Sequence, residues 1–345
     1  MYTLSKTIFL VALVFSFISC TSDSPEPEEG TLTFKPLDTQ MLNRVLKAEG
    51  QTQGGSYKIK VPQNDLNVMV DGFKIIPPMG ATSWIAFTPA PAGARLFGDV
   101  VLKEEEVEPV EQVLFKQGLH ATALHKHFEG ESPRVMFMHV GGSGDQQTLA
   151  EGVRAVLDKI ESLRGGDPSK APSSPVTNTL DTEAISKIIG HEGAVSEGVF
   201  KISIGRPDVE PDIYSAKQHE KYEEATEEHE RQQEEEHKES EAQEPGHIHV
   251  TPFTGFNTWA AFQGTPDNAA VAGDFAMLAD EVPAVMQTLI ENGFTVVSLH
   301  NHMINEHPRI FFLHYWGTGN AQELAHGLRK ALDQTEKMAQ KEDKE

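Results

Sequence analysis

Leu114 to Gly144 reads LFKQGLHATALHKHFEGESPRVMFMHVGGSG, and Leu289 to Gly319 reads LIENGFTVVSLHNHMINEHPRIFFLHYWGTG. The second stretch repeats the first 175 positions on, without a gap. His125, His127 and His139 fall on His300, His302 and His314, while Glu131, Pro133 and Arg134 fall on Glu306, Pro308 and Arg309. Within each copy the apolar residues lack helical spacing, and Gly130 and Pro133 mark a turn, so the stretch reads as strand, loop, strand. Residues two apart in a strand share a face, which places His125 beside His127. With the loop near Gly130, the returning strand runs antiparallel and His139 falls opposite Ala123. There it is diagonal to His125 at about 7 Å between backbones, a gap that imidazoles span.

The repeat extends outward from the hairpins. Tyr57-Lys58-Ile59 matches Phe200-Lys201-Ile202 and Asp65 matches Asp208, both at an offset of 143. From Trp84-Ile85-Ala86-Phe87 and Trp259-Ala260-Ala261-Phe262 onward the offset is 175, so the second copy carries an insertion of 32 residues. Between Lys217 and Glu244, twelve glutamates stand against four basic residues with almost no apolar stripe. This run is expected to be a solvated helix or loop that buries nothing.

Each copy has the same expected order: a short helix (39–48, 182–189), strands at 56–61, 67–74, 83–87 and 94–102, a helix over 107–117, the histidine hairpin, and a last helix capped by Asp145 or Asn320. This predicts an α+β fold of two tandem homologous domains. Each is an antiparallel sheet with helices on one face, built around a strand-helix-strand-strand-helix core, and the histidines are expected on the other face. The expected boundaries are 37–165 for the first repeat, a Pro- and Ser-rich linker at 166–179, and 180–335 for the second with the acidic insertion at about 211–246. A charged tail at 336–345 follows.

The N-terminus reads as a signal. Residues 8–18 are an apolar run too short to span a bilayer, and Ser19-Cys20 closes it like a bacterial lipobox. A signal peptide over 1–19, an acylated Cys20 and a flexible Pro- and Glu-rich tether over 20–36 are therefore expected. This would make the protein lipid-anchored in a bacterial envelope, at the outer membrane of a Gram-negative cell. Cys20 is the single cysteine, which leaves no disulfide or thiolate site within the chain. Acidic residues outnumber basic ones by 52 to 29, for a net charge of −23, which argues against nucleic acid as a partner.

Gly98-Asp99, Glu106-Val107, Ala123-Leu124-His125-Lys126-His127, Ser132-Pro133-Arg134 and Phe137-Met138-His139 resemble the pattern of the LppY/LpqO lipoprotein family, and the second repeat matches it again. The resemblance covers nearly all of 37–332. It implies an exported, often lipid-anchored bacterial protein of undefined biochemical activity, and it supplies no catalytic assignment.

Three neutral imidazoles converging from two strands suit Zn²⁺, Cu²⁺ or Ni²⁺ and leave a position open for water or a small ligand. The expectation is one such site in each repeat. Asp99 and Asp274 are candidates to orient an imidazole or act as a base, with a turn or cap as the plainer reading. Glu131 with Arg134, and Glu306 with Arg309, read as an anion clamp or as ion pairs. Trp84, Trp259 and Trp316 read as core. No nucleophile elbow, phosphate loop or paired-cysteine site is present. Three classes remain: a metal or ligand binding protein, which the ligand-rich but base-poor composition favours; a metal-dependent hydrolytic or oxidative enzyme; and a structural lipoprotein without metal.

Overall fold

The computed structural model describes residues 34–209, 211–213 and 250–342, without the side chains of 212–213 and 336–342. The expected signal segment, Cys20, the expected tether up to residue 33 and nearly all of the acidic insertion lie outside these. None of the described helices is long and apolar enough to cross a membrane. The described residues from Phe34 onward form one compact unit.

The fold is α+β, and its two halves repeat each other. The first contains α1 (Thr39–Leu46), β1 (Gln51–Gln53), β2 (Ser56–Pro62), β3 (Met69–Val70), β4 (Phe73–Lys74), β5 (Thr82–Ala90), β6 (Gly93–Lys103), α2 (Val107–Lys116), β7 (His120–His125), β8 (Val135–Gly144) and α3 (Gln146–Arg164). The second contains α4 (Thr182–Ile189), β9 (Gly193–Ser196), β10 (Val199–Ile204), β11 (Asp212–Ile213), β12 (Thr258–Gly264), β13 (Ala269–Met277), α5 (Val282–Glu291), β14 (Thr295–His300), β15 (Glu306–His307), β16 (Phe311–Gly319) and α6 (Ala321–Glu342). Each half has a six-stranded antiparallel sheet, ordered β1-β2-β5-β6-β8-β7 and β9-β10-β12-β13-β16-β14. Helix α6 carries on through the expected charged tail to Glu342.

Local chemistry explains the boundaries. Asp145 caps α3 by accepting from the amides of Gln147 and Thr148, and Asn320 does the same for α6 through Gln322 and Glu323. One strand expectation fails. The span 67–74 is not one strand but the two-residue strands β3 and β4, because Asp71 and Gly72 both adopt positive φ and fold it into a tight hairpin.

Alternation along the strands sends residues to two different cores. Ile59, Ile85, Val100, Met138 and Val140 pack under α1, α2 and α3, and Ile202, Ala260, Phe275, Leu313 and Tyr315 pack under the helices of the second half. The opposite faces of the sheets meet each other. Val101, Phe128 and Phe137 share a core with Ala261, Ala272 and Trp316, and Phe97 shares one with Phe256, Ala276 and Phe312. Burial of these apolar faces supplies the driving force for joining the repeats. The order is thus helices, sheet, sheet, helices. Polar contacts also cross between repeats, with Trp316 Nε1 donating to Asp71 at 2.8 Å and Lys58 Nζ to the Phe253 carbonyl at 3.0 Å.

Candidate metal centre and ligand cavity

One ladder of cross-strand neighbours runs over the inner face of each sheet. In the first half it is Lys60, Trp84, Asp99, His139 and Ala123; in the second it is Ser203, Trp259, Asp274, His314 and Ser298. The antiparallel register thus sets Asp99 beside His139, and Ala123 opposite His139 as the hairpin reading expected. Lys58 and Lys201, two residues along their strands, share that face. His127 and His302 depart from the sequence reading. Strands β7 and β14 end at His125 and His300, so each second histidine stands in the following loop, with ring centroids still 5.1 Å from its neighbour.

Because the two inner faces are packed together, the six histidines form one cluster. This corrects the expectation of a separate three-histidine site in each repeat. His125 stacks on His300 with centroids 3.8 Å apart, His127 meets His314 at 3.7 Å and His139 meets His302 at 4.0 Å. Every close pair joins a residue of one repeat to a residue of the other. Three sets bring ligand atoms within 4.8 Å of one another: His125, His139 and His300; His125, His127 and His314; and Asp274, His300 and His302. The first two mix repeats.

All six rings are buried or nearly so, and their hydrogen bonding is one-sided. His139 Nδ1 faces the Gly98 carbonyl at 3.1 Å, His314 Nδ1 the Gly273 carbonyl at 3.0 Å and His302 Nδ1 the Gly255 carbonyl at 3.2 Å. A carbonyl only accepts, so each of these rings carries its proton on Nδ1 and leaves the Nε2 lone pair free. Among the described residues nine ring nitrogens of the cluster have no hydrogen-bond partner. Asp99 Oδ2 lies 3.5 Å from His127 Nε2, and Asp274 Oδ2 lies 3.4 Å from His302 Nε2.

Burial sets the charges here. It pushes His139 and His314 down to about 3, and drives His125, His127, His300 and His302 down as well, reinforced by neighbouring imidazoles. It pushes Asp99 up to about 8, and Asp274 also upward with the Asp99 charge as a second cause. The glycine before each aspartate is a packing requirement: a Cβ at Gly98 would meet Ile85 at 2.4 Å, and one at Gly273 would meet the Tyr315 hydroxyl at 2.0 Å.

A cavity of about 690 Å³ opens onto the cluster, lined from both repeats by His127, His139, His302, His314, Asp99 and Asp274. Its walls also carry Lys58, Lys60, Trp84, Lys201 and Trp259. The reading of Trp84 and Trp259 as core holds in part: they pack against the inner cores but are half-buried and also wall the cavity, because the face they occupy is open at this edge of the sheets. Trp316 is core. A second depression of about 570 Å³, lined by Gln40, Asn43 and Arg44 among others, shares no residue with the cluster.

Glu131, Arg134, Glu306 and Arg309 do not line the cavity. Arg134 is exposed and faces Glu104 at 3.5 Å, and Arg309 pairs with the buried Glu306 at 3.3 Å. Asp99 and Asp274 sit in strand interiors, where they cap nothing. Lys58 and Lys201 were missed as site residues, although the signal was present: a lysine between apolar neighbours, kept at the same place in both copies.

The geometry defines a duplicated α+β protein whose repeats close on one histidine- and aspartate-lined cavity. The model of the family described as Domain of Unknown Function (DUF1259) matches residues 40–159 and 221–334, and the chain belongs to that family. No curated protein matches the chain. The solved structures it is similar to include the trimeric bacterial microcompartment shell protein PduB, at 9% identity over 86% of this chain and 94% of that one, with a TM-score of 0.21. EtuB from Clostridium kluyveri is similar at 10% identity over 84% and 93%, with a TM-score of 0.19. Likenesses this weak carry no argument about fold or function.

Proposed function

We propose that the protein binds a divalent transition metal ion, zinc or a neighbour such as copper or nickel, in the imidazole cluster between its repeats. One observation carries the reading: nine buried ring nitrogens converge in a single cluster without a hydrogen-bond partner among the described residues, two of them, His127 Nε2 and His302 Nε2, facing an aspartate oxygen only at 3.5 and 3.4 Å. A buried polar atom left unsatisfied costs about 1–3 kcal/mol, and a cation bound by the lone pairs removes that cost. The donor set of imidazole nitrogens with a carboxylate oxygen suits this class of ion and not the oxygen-seeking calcium or magnesium. The Nδ1–H contacts to the carbonyls of Gly98, Gly255 and Gly273 are the kind of outer contact that fixes ring orientation in metal sites. His125, His139 and His300, whose ligand atoms lie within 4.8 Å of one another, would hold the ion, with Asp274 and His302 beside them. When bound, the ion supplies a Lewis acid that polarises an oxygen of a ligand in the cavity.

The favoured role is binding. A metal-dependent hydrolytic or oxidative enzyme is the second reading, favoured by the cavity that reaches four of the six imidazoles. Turnover that disappears with the ion and returns on its re-addition separates the two. The metal reading itself is tested by elemental analysis after mild dialysis of the wild type and of a variant with all six histidines changed to glutamine. At least one ion per chain is expected in the first and none in the second. Equal metal in both overturns it.

A further inference from the structure

Lysine is seldom buried without a partner. Lys58 and Lys201 hold equivalent positions in β2 and β10, and both are half-buried in the cavity wall. Each Nζ lies 3.9 Å from the indole centroid of a tryptophan of its own sheet, Trp84 for Lys58 and Trp259 for Lys201. Lys58 also donates to the Phe253 carbonyl at 3.0 Å. Among the described residues neither ammonium is paired with a carboxylate. The buried acids Asp99 and Asp274 line the same cavity. Lys60 adds a third ammonium to the wall.

The cations are close enough to oppose one another. Burial, then repulsion from Lys60 and Lys201, pushes Lys58 down to about 7 against a smaller pull from Asp99, and burial, then repulsion from Lys60, pushes Lys201 down to about 8 against a smaller pull from Asp274. An anion between them relieves the repulsion. In a chain of net charge −23 the cavity wall brings together three ammoniums, Lys58, Lys60 and Lys201, beside the carboxyls of Asp99, Glu197 and Asp274. The volume of about 690 Å³ is that of a small-molecule site and far below what a polymer needs. The pinned ammoniums are also pre-organised, since each is held on an aromatic face before any ligand arrives.

We propose that this cavity takes a small organic anion, its carboxylate or phosphate group neutralised by Lys58 and Lys201 while the rest of the molecule reaches toward the imidazole cluster. The proposal rests on the reading of the cluster as a ligand site and names the class of molecule it serves. The test is calorimetric titration with succinate and, separately, with inorganic phosphate at constant ionic strength. It uses metal-loaded and chelator-treated wild type, Lys58→Met, Lys201→Met, the double Met variant and the double Lys→Arg variant. Methionine keeps the contact with tryptophan and removes the charge.

At least one of the two anions is expected to bind wild type. Each single Met change should weaken it about tenfold or more, the value of one charge-assisted hydrogen bond, and the double change should abolish it. The double Arg variant should retain binding, which separates loss of charge from loss of fold. Metal content should be the same in all of them. Anion affinity unchanged in the double Met variant overturns the proposal, as does failure of both anions to bind metal-loaded wild type at millimolar concentration. Anion binding that depends on the lysines in a protein that holds no metal keeps this inference and removes the metal reading. Bound metal without anion binding does the reverse.

Discussion

Metal-free protein is expected to lose about 3 kcal/mol of unfolding free energy when the pH drops from 6.5 to 5.5. The six cluster histidines ionise near 6.5 in the unfolded chain but are held neutral in the fold, where burial pushes His139 and His314 down to about 3 and the others in the same direction. A depressed folded pKa means that stability is fully present above 6.5 and is lost as the pH falls toward 3. Over that one unit of pH each imidazole costs about 1 kcal/mol. Asp99, pushed up to about 8, and Asp274 work the other way: their stabilisation is present below the carboxylate range and fades as the pH rises through about 8. Between pH 5.5 and 6.5 two carboxyls do not outweigh six imidazoles, so the steep side of the stability curve is toward acid. Urea denaturation of chelator-treated protein at pH 7.5, 6.5 and 5.5 measures the slope. A curve flat to within about 1 kcal/mol would show that the imidazoles are hydrated in the folded protein and not buried.

Arg206→Ala should cost about 3–5 kcal/mol, because it strands a buried carboxylate. Arg206 grips Glu281 through Nη1 at 2.8 Å and Nη2 at 2.9 Å, holds Asp208 at 2.7 Å and donates to the Ala276 carbonyl at 3.0 Å. Glu281 is 1% exposed. In the first repeat the equivalent Glu106 is gripped by Arg164, which comes from the end of α3 and reaches Gln63 and Asp65, the counterparts of Arg206 and Asp208. The two repeats thus neutralise the same glutamate with arginines from different places in the chain. A double Arg206→Met, Glu281→Met variant should recover most of the loss, since an apolar pair leaves no buried charge. A loss below about 1 kcal/mol in the alanine variant would show that water reaches Glu281.

Much of this was legible in the sequence because duplication doubles every signal. The alternation around His125 and His139 gave the strand pairing, and the observed register of Ala123 against His139 follows from it. The Asp and Asn caps and the helix over 107–116 follow from local rules in the same way. What sequence spacing does not carry is the contact between repeats. Periodicity says which face a side chain takes within its own sheet. That the two faces lie against each other, so that His125 stacks on His300, depends on apolar residues such as Val101, Phe137, Ala261 and Ala272 that are distant in the chain. The cavity residues Lys58 and Lys201 were hidden for the same reason: a lysine in a strand reads as solvated until an opposing sheet covers it.

A single centre shared by the two repeats is tested most directly by cobalt titration, followed through its absorption spectrum, of two triple variants. One has His125, His127 and His139 changed to glutamine, and the other His300, His302 and His314. A shared centre loses cross-repeat ligands in either case. Each variant should therefore bind all of its cobalt at least about 100-fold more weakly and with an altered spectrum, since each ligand of a zinc-type site is worth several kcal/mol. Two independent hairpin sites would instead leave each variant with half of the metal, at wild-type affinity and with the wild-type spectrum, and that result would contradict the shared centre.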